Sequence, residues 1–264
     1  MRRRTMVLVG SLALAGVQLV VGGAPAVAGP QRPAGAGGPV RTLADFDWPV
    51  TGDWDGDGDD TVAIWRGNTF HLRNSNSNGP ANSTFAYGSS ATDFPISGDW
   101  NGDGDNTVGV FRGNTFFLRN TATVTTVVSF GRATDFPVTG DWDGDGTTTI
   151  GVVRGNTWFL RNTNTTGPAD VVVSFGRATD FPVTGDWDGD GTTTPGVVRD
   201  NEWFLRNSAT STTAFRFGSA TDYPVTGDWN GDGDQTIGVV RGSTWFLRNT
   251  NSEGNADLAF PYTP

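Results

Sequence analysis

The chain has 264 residues, no cysteine and a formal charge of −10, with 26 Asp, only 2 Glu and 18 basic residues that are all Arg. The missing cysteine excludes a disulfide framework and any thiolate metal site. The net negative charge argues against nucleic acid and anionic membrane surfaces as partners.

In chain order, the first predicted element is a targeting segment over residues 1–28. Arg2, Arg3 and Arg4 form a charged start, Met6 to Val21 is an apolar run broken by Gly and Ser, and Ala26-Val27-Ala28 fits a small-x-small cleavage site. The run is short for a membrane span. The prediction is therefore export and cleavage, giving a secreted, extracellular protein with no membrane attachment. Arg3-Arg4 leaves both the general and the twin-arginine route open. Cleavage removes three arginines and takes the charge from −10 to −13. Residues 29–44, dominated at first by Gly, Pro and Ala, read as a flexible tail.

Residues 45–264 are repetitive. Gly-Asp-Trp recurs at Gly52, Gly98, Gly140, Gly185 and Gly227, with spacings of 46, 42, 45 and 42 residues. Each copy is followed by an Asp/Gly loop, a strand ending in Arg (Arg66, Arg112, Arg154, Arg199, Arg241), a tight turn, and a second strand ending in Leu-Arg-Asn. A polar loop of variable length, a third strand and a Thr-Asp-Phe/Tyr-Pro stretch complete the unit. The segments are short, aromatic and β-branched, and no helical period appears after the targeting segment. Turns such as Gly155-Asn156, replaced by Asp200-Asn201 in the fourth unit, suit two-residue hairpins. Four strands in 40–50 residues, large apolar residues on both faces and five units predict an all-β propeller of five four-stranded antiparallel blades. A β-solenoid is the alternative, but its repeats are usually shorter. The last unit ends at Phe260-Pro261-Tyr262 and lacks a lead-in, which appears instead at Asp47-Trp48-Pro49-Val50, so the N-terminal stretch can complete the junction left open at the other end.

The loops hold 17 of the 26 Asp. Counting Asp141 as position one, Asp141, Asp143 and Asp145 stand at positions one, three and five, Gly146 at six, Thr147 at seven and Thr149 at nine. Alternate side chains of a tight loop can converge on one hard cation, with a backbone carbonyl at seven, and Gly at six permits the turn. The same layout gives Asp53, Asp55, Asp57, Asp59 and Thr61; Asp99, Asn101, Asp103, Asp105 and Thr107; Asp186, Asp188, Asp190, Thr192 and Thr194; and Asp228, Asn230, Asp232, Asp234 and Thr236. Five clusters of carboxylates that would otherwise repel one another predict up to about five calcium ions. The loops are not EF-hands, because position twelve is apolar (Ile64, Val110, Val152, Val197, Val239).

The Asp-x-Asp/Asn-Gly-Asp-Gly loop together with Phe-Gly (Phe130-Gly131, Phe175-Gly176, Phe217-Gly218) resembles the FG-GAP/VCBS repeat family, which includes the integrin α-subunit propeller, over residues 45–264. The resemblance implies a four-stranded blade, calcium between its first and second strands, and a role in adhesion or ligand binding. Some fungal lectins with similar loops bind sugars between blades. Two departures stand out: Thr occupies position nine, where many members have Asp, and the units number five, where seven blades are common.

Five tryptophans (Trp54, Trp100, Trp142, Trp187, Trp229) hold one place in the loop motif and read as structural, as do Trp158, Trp203 and Trp245, which share a strand site with Phe70 and Phe116. The repeated Arg read as partners of loop carboxylates or of the Asp in Thr-Asp-Phe-Pro. His71, the only histidine, stands where other units have Phe and reads as packing. Apart from the loops and the repeated Asp47, Asp93, Asp135, Asp180 and Asp222, the remaining carboxylates (Asp45, Asp170, Asp200, Asp257, Glu202 and Glu253) lie at unrelated repeat positions, so no glycosidase pair emerges. The expectation is a monomeric, non-catalytic binding module for an extracellular glycan or surface protein. The alternatives are a structural envelope or adhesion protein in which calcium only stabilises the fold, and a glycan-active propeller enzyme.

Overall fold

The computed structural model describes residues 47–89 and 93–264; the expected signal segment and tail lie outside the described residues. The described chain is all-β and forms five sheets, each of four antiparallel strands taken in sequence order. Blade 1 comprises β1 (Asp47–Gly52), β2 (Thr61–Arg66), β3 (Thr69–Leu72) and β4 (Ser83–Ala86), and blade 2 comprises β5 (Asp93–Gly98), β6 (Thr107–Arg112), β7 (Thr115–Arg119) and β8 (Thr125–Ser129). Blade 3 runs through β9 (Phe136–Gly140), β10 (Thr149–Arg154), β11 (Thr157–Leu160) and β12 (Val171–Ser174). Blade 4 has β13 (Phe181–Gly185), β14 (Thr194–Arg199), β15 (Glu202–Arg206) and β16 (Thr212–Arg216), and blade 5 has β17 (Tyr223–Gly227), β18 (Thr236–Arg241), β19 (Thr244–Leu247) and β20 (Leu258–Pro261). Blades therefore begin one strand before Gly-Asp-Trp. The N-terminal stretch is the innermost strand of blade 1, and blade 5 is completed by its own chain, so blades 5 and 1 meet face to face and share no sheet.

Local sequence explains each layer. In the second strand of a blade both faces meet neighbouring blades, which is why Thr61 to Trp65 are all buried. The third strand alternates, burying Phe70 and Leu72. The tryptophans exchanged with phenylalanine, Trp158, Trp203 and Trp245, are fully buried like Phe70 and Phe116. The first strand pairs on one side only, so Pro49, Pro95, Pro137, Pro182 and Pro224 are tolerated there. The hairpins close with a positive φ at their first turn residue, 61° at Gly155 and 56° at Asp200, the one non-glycine in that region among the described residues.

Two closed circuits hold the five first strands around the axis. Trp48, Phe94, Phe136, Phe181 and Tyr223 meet edge to face, each with the next and Tyr223 with Trp48, at centroid distances of 5.1 to 6.3 Å. Nearer the Asp loops, the hydroxyl of Thr51 donates to Thr226 O, Thr226 to Thr184 O, Thr184 to Thr139 O, Thr139 to Ser97 O and Ser97 to Thr51 O, at 2.7 to 3.0 Å. These bonds satisfy carbonyls that an inner edge strand would otherwise expose to the axial channel.

The repeated arginines pair with an Asp at the start of the first strand or immediately before it, across a register seen in Asp47↔Arg66 and Asp93↔Arg112. Arg154 reaches Asp135 with Nε at 2.8 Å and Nη2 at 2.6 Å, a two-pronged contact repeated by Arg112, Arg199 and Arg241. Each of these four guanidinium groups also lies over the ring of Phe117, Phe159, Phe204 or Phe246, 4.6 to 5.1 Å from its centre. In blade 1 His71 takes the Phe position. Its burial, and then Arg66, hold its pKa below the ordinary value, and its Nδ1 lies 3.5 Å from the Thr84 hydroxyl.

Candidate functional site: a ring of acidic loops and an open blade junction

The five Asp loops join the first and second strands of each blade and ring one face of the propeller. In each, the position-one carboxylate turns back on its own loop. Asp53 accepts from Gly56 N and Asp57 N on Oδ1 and from Gly58 N on Oδ2, at 2.7 to 3.2 Å. Asp99, Asp141 and Asp228 repeat this pattern, and Asp186 accepts from Asp190 N and Gly191 N. That geometry needs a left-handed residue at position six, where Gly58, Gly104, Gly146, Gly191 and Gly233 have φ between 87° and 98°. The position-seven amides of Asp59, Asp105, Thr147, Thr192 and Asp234 each donate to the carboxylate at position five.

Three loops bring three carboxylates together, with one oxygen each from Asp53, Asp55 and Asp57, from Asp141, Asp143 and Asp145, and from Asp186, Asp188 and Asp190 lying within 4.8 Å of one another. In the second and fifth loops the amide group of Asn101 donates to Asp103 at 2.7 Å and that of Asn230 to Asp232 at 2.8 Å, which occupies an acceptor within the cluster. The position-nine threonines are not brought to the carboxylates. Thr61, Thr107, Thr149, Thr194 and Thr236 donate their hydroxyls to the carbonyls of Gly52, Gly98, Gly140, Gly185 and Gly227.

The clusters are electrostatically loaded. Lost hydration, then Asp57, pushes Asp59 up to about 6, and its Oδ1 is buried without a partner. Asp143 is raised by lost hydration and then by Asp145 and Asp141, and Asp186 is raised chiefly by burial. An all-oxygen donor set with an orphaned carboxylate oxygen fits a hard divalent cation.

Adjacent loops are stitched through position eight. Asn106 N donates to Asp53 O, Thr148 N to Asp99 O, Thr193 N to Asp141 O and Gln235 N to Asp186 O, and Asp60 N closes the circuit on Asp228 O at 2.6 Å. The side chains of Thr148, Thr193, Gln235 and Asp60 accept in return from the amides of Asp99, Asp141, Asp186 and Asp228. Asp60 is the one ionisable residue among the five at position eight, and burial pushes its pKa up to about 7. A carboxyl that holds its proton more tightly folded than unfolded makes stability fall as pH rises between the two pKa values, here from about 4 to about 7. Asp60→Asn is expected to flatten that slope and, in chelator near pH 8, to stabilise the protein by about 2–4 kcal/mol. Urea denaturation of both proteins near pH 4.5 and pH 8 is the check, and identical slopes would exclude Asp60 as the cause.

The unequal repeat spacing has a structural counterpart on this face. The loop between third and fourth strands is long in blades 1, 3 and 5, where Arg73, Arg161 and Arg248 sit inside it, each donating to several of its own carbonyls. From these long loops Asn164 bonds Trp100 O and Thr148 O and Asn251 bonds Trp187 O and Gln235 O, covering junctions 2/3 and 4/5, while Asn76 bonds the carbonyl of Asp60, whose own amide crosses junction 5/1 to Asp228 O. Blades 2 and 4 have short loops and no such strap among the described residues, so junctions 1/2 and 3/4 are uncovered. At junction 1/2 lies a pocket of about 260 Å³ lined by Trp54, Asn74, Asn82, Ser83, Phe85 and Arg119, among others. Trp54 is only half-buried there, whereas Trp100, Trp142, Trp187 and Trp229 are buried as expected of structural residues. Asn74 links the pocket to the first acidic loop through a 2.7 Å bond to Asp55. The pocket went unread in the sequence, although the spacings of 46, 42, 45 and 42 residues already carried the alternation that opens it.

Fold and site together define a five-bladed β-propeller with a ring of acidic loops on one face. No protein-family profile matches this chain, and no curated protein does. Among solved structures, it is similar to an Agrocybe aegerita lectin described as recognising non-reducing terminal N-acetylglucosamine, at 15% identity and a TM-score of 0.47, covering 82% of this chain and 67% of the lectin. It is also similar to BBS1N in complex with ARL6DN, at 11% identity and a TM-score of 0.42, covering 84% of this chain and 68% of that one.

Proposed function

We propose that this chain is an exported, calcium-stabilised propeller of the FG-GAP/VCBS type that binds carbohydrate outside the cell without acting on it chemically. The observation that carries the binding reading is the uncovered junction between blades 1 and 2. There the half-buried Trp54 offers an aromatic face beside the Phe85 ring, and Asn74, Asn82 and Ser83 offer hydrogen-bonding groups, the mixture a small-molecule pocket uses to fix orientation. Calcium would be held chiefly by the three Asp triads, more weakly by the loops containing Asn101 and Asn230, and would stiffen the face from which the pocket opens.

The non-catalytic reading rests on the side chains that chemistry would need. His71 occupies a blade-packing position. Three of the carboxylates at non-repeated positions are engaged elsewhere: Asp170 with Arg161 at 3.0 Å, Glu202 with Arg216 at 2.6 Å, and Asp257 with the amide of Asn249.

The test is a glycan array probed with the purified protein in calcium and in chelator. Retention of a defined saccharide set in calcium, diminished in chelator and unchanged in composition after prolonged incubation, is the expected result. Failure to retain any saccharide, or conversion of the retained one, would overturn the reading.

A further inference from the structure

We infer that the pocket at the junction of blades 1 and 2 is selective for a saccharide bearing an anionic group, held by Arg119; this deepens the carbohydrate-binding reading and rests on it. The other arginines near this face have internal partners. Arg73, Arg161 and Arg248 are wrapped by their own loops, and Arg206, the counterpart of Arg119 in blade 4, donates to Ser208 O at 3.0 Å. Arg119 has neither an ion pair nor a hydrogen-bond acceptor among the described residues. Its guanidinium lies 4.1 Å from the centre of the Phe85 ring, which orients the planar fork at the pocket wall.

In a chain with a charge of −10 this is a half-buried cation placed beside aromatic and amide groups and left without a counter-ion. A carboxylate or sulfate on a sugar supplies the missing acceptors in the bidentate geometry that Arg prefers, while the sugar ring stacks on Trp54. The uncovered junction 3/4 lacks the combination. Val173 stands where blade 1 has Phe85, Trp142 is buried, and Arg206 is already bonded. One such site per chain is therefore expected, in contrast to a lectin with a pocket at every junction.

The experiment is calorimetric titration of the full protein in calcium with matched oligosaccharides: neutral, uronate-bearing and sulfated, with poly-glutamate as a charge control. The uronate or sulfated member should bind at least tenfold more tightly than its neutral counterpart, and the better of the two identifies the anion. Arg119→Gln should bring that affinity down to the neutral level without altering the melting temperature, and Arg206→Gln, at the equivalent place in blade 4, should change nothing. Equal affinity for neutral and anionic sugars would sink the selectivity while leaving carbohydrate binding intact. Binding of poly-glutamate as tight as that of the anionic sugar would also overturn it, and absence of binding to any sugar would remove both readings.

Discussion

Adding calcium to the chelated protein is expected to raise its melting temperature by roughly 20 °C. An ion that binds only the folded state stabilises it by about 2.7 kcal/mol when present at a hundred times its dissociation constant. Three such loops then contribute on the order of 8 kcal/mol, and in a domain of this size each kcal/mol moves the midpoint by about 2–4 °C. The three loops are those that gather Asp53, Asp141 and Asp186 with their neighbours. Lost hydration first, and then the neighbouring carboxylates, raise the pKa of Asp59 and Asp143, so without a cation the chelated protein starts from a disadvantage. Asp143→Ala should abolish most of one loop's contribution, whereas Asn101→Ala, in a loop whose amide already occupies Asp103, should cost less. Differential scanning calorimetry in calcium and in chelator provides the measurement. Coincident transitions in the two buffers would refute calcium binding at these loops.

Asp135→Ala should destabilise the protein by about 3 kcal/mol, while Asp47→Ala, at the equivalent place in blade 1, should cost less than about 1 kcal/mol. The Asp135 side chain is 0% exposed, takes both prongs of Arg154 and accepts the amide of Arg132 at 2.9 Å. Its removal strands a guanidinium and an amide together at the end of a blade. Asp47 makes the same pair with Arg66, but the two side chains are 39% and 40% exposed, so water replaces what is lost. Urea denaturation of the two variants in calcium decides the matter, and equal losses would show that burial does not govern the strength of these pairs.

The acidic loops and the pocket differ sharply in how far residues announce them. The loops are local: their carboxylates lie within a few positions of one another, and the glycine at position six is demanded by a backbone turn that the same segment makes. Residue types therefore bring out the clustering of Asp141, Asp143 and Asp145, whose carboxylate oxygens lie within 4.8 Å of one another. Position nine is less legible, because Thr149 and its equivalents donate to a carbonyl nine residues earlier, across the strand pair that the loop connects. Residue types leave the repeated Arg two kinds of Asp as partner, and strand register decides between them: Val153 pairs with Phe136, which sets Arg154 at the end of β10 against Asp135 just ahead of β9.

By itself the sequence determined that this is a five-unit, all-β repeat protein with Asp-rich turns, because strand alternation, turn chemistry and repeat period are properties of neighbouring residues. Only the tertiary structure decided what happens between units. The circuit of hydroxyls from Thr51 to Thr226 and the ring of Trp48, Phe94, Phe136, Phe181 and Tyr223 exist because five inner strands converge on one axis. The junction pocket exists because a loop in blade 2 is too short to reach the preceding blade, which leaves Trp54 half-buried and Arg119 without an acceptor among the described residues. Such features depend on the distance between residues of different blades, and that distance is set by ring closure rather than by any one repeat.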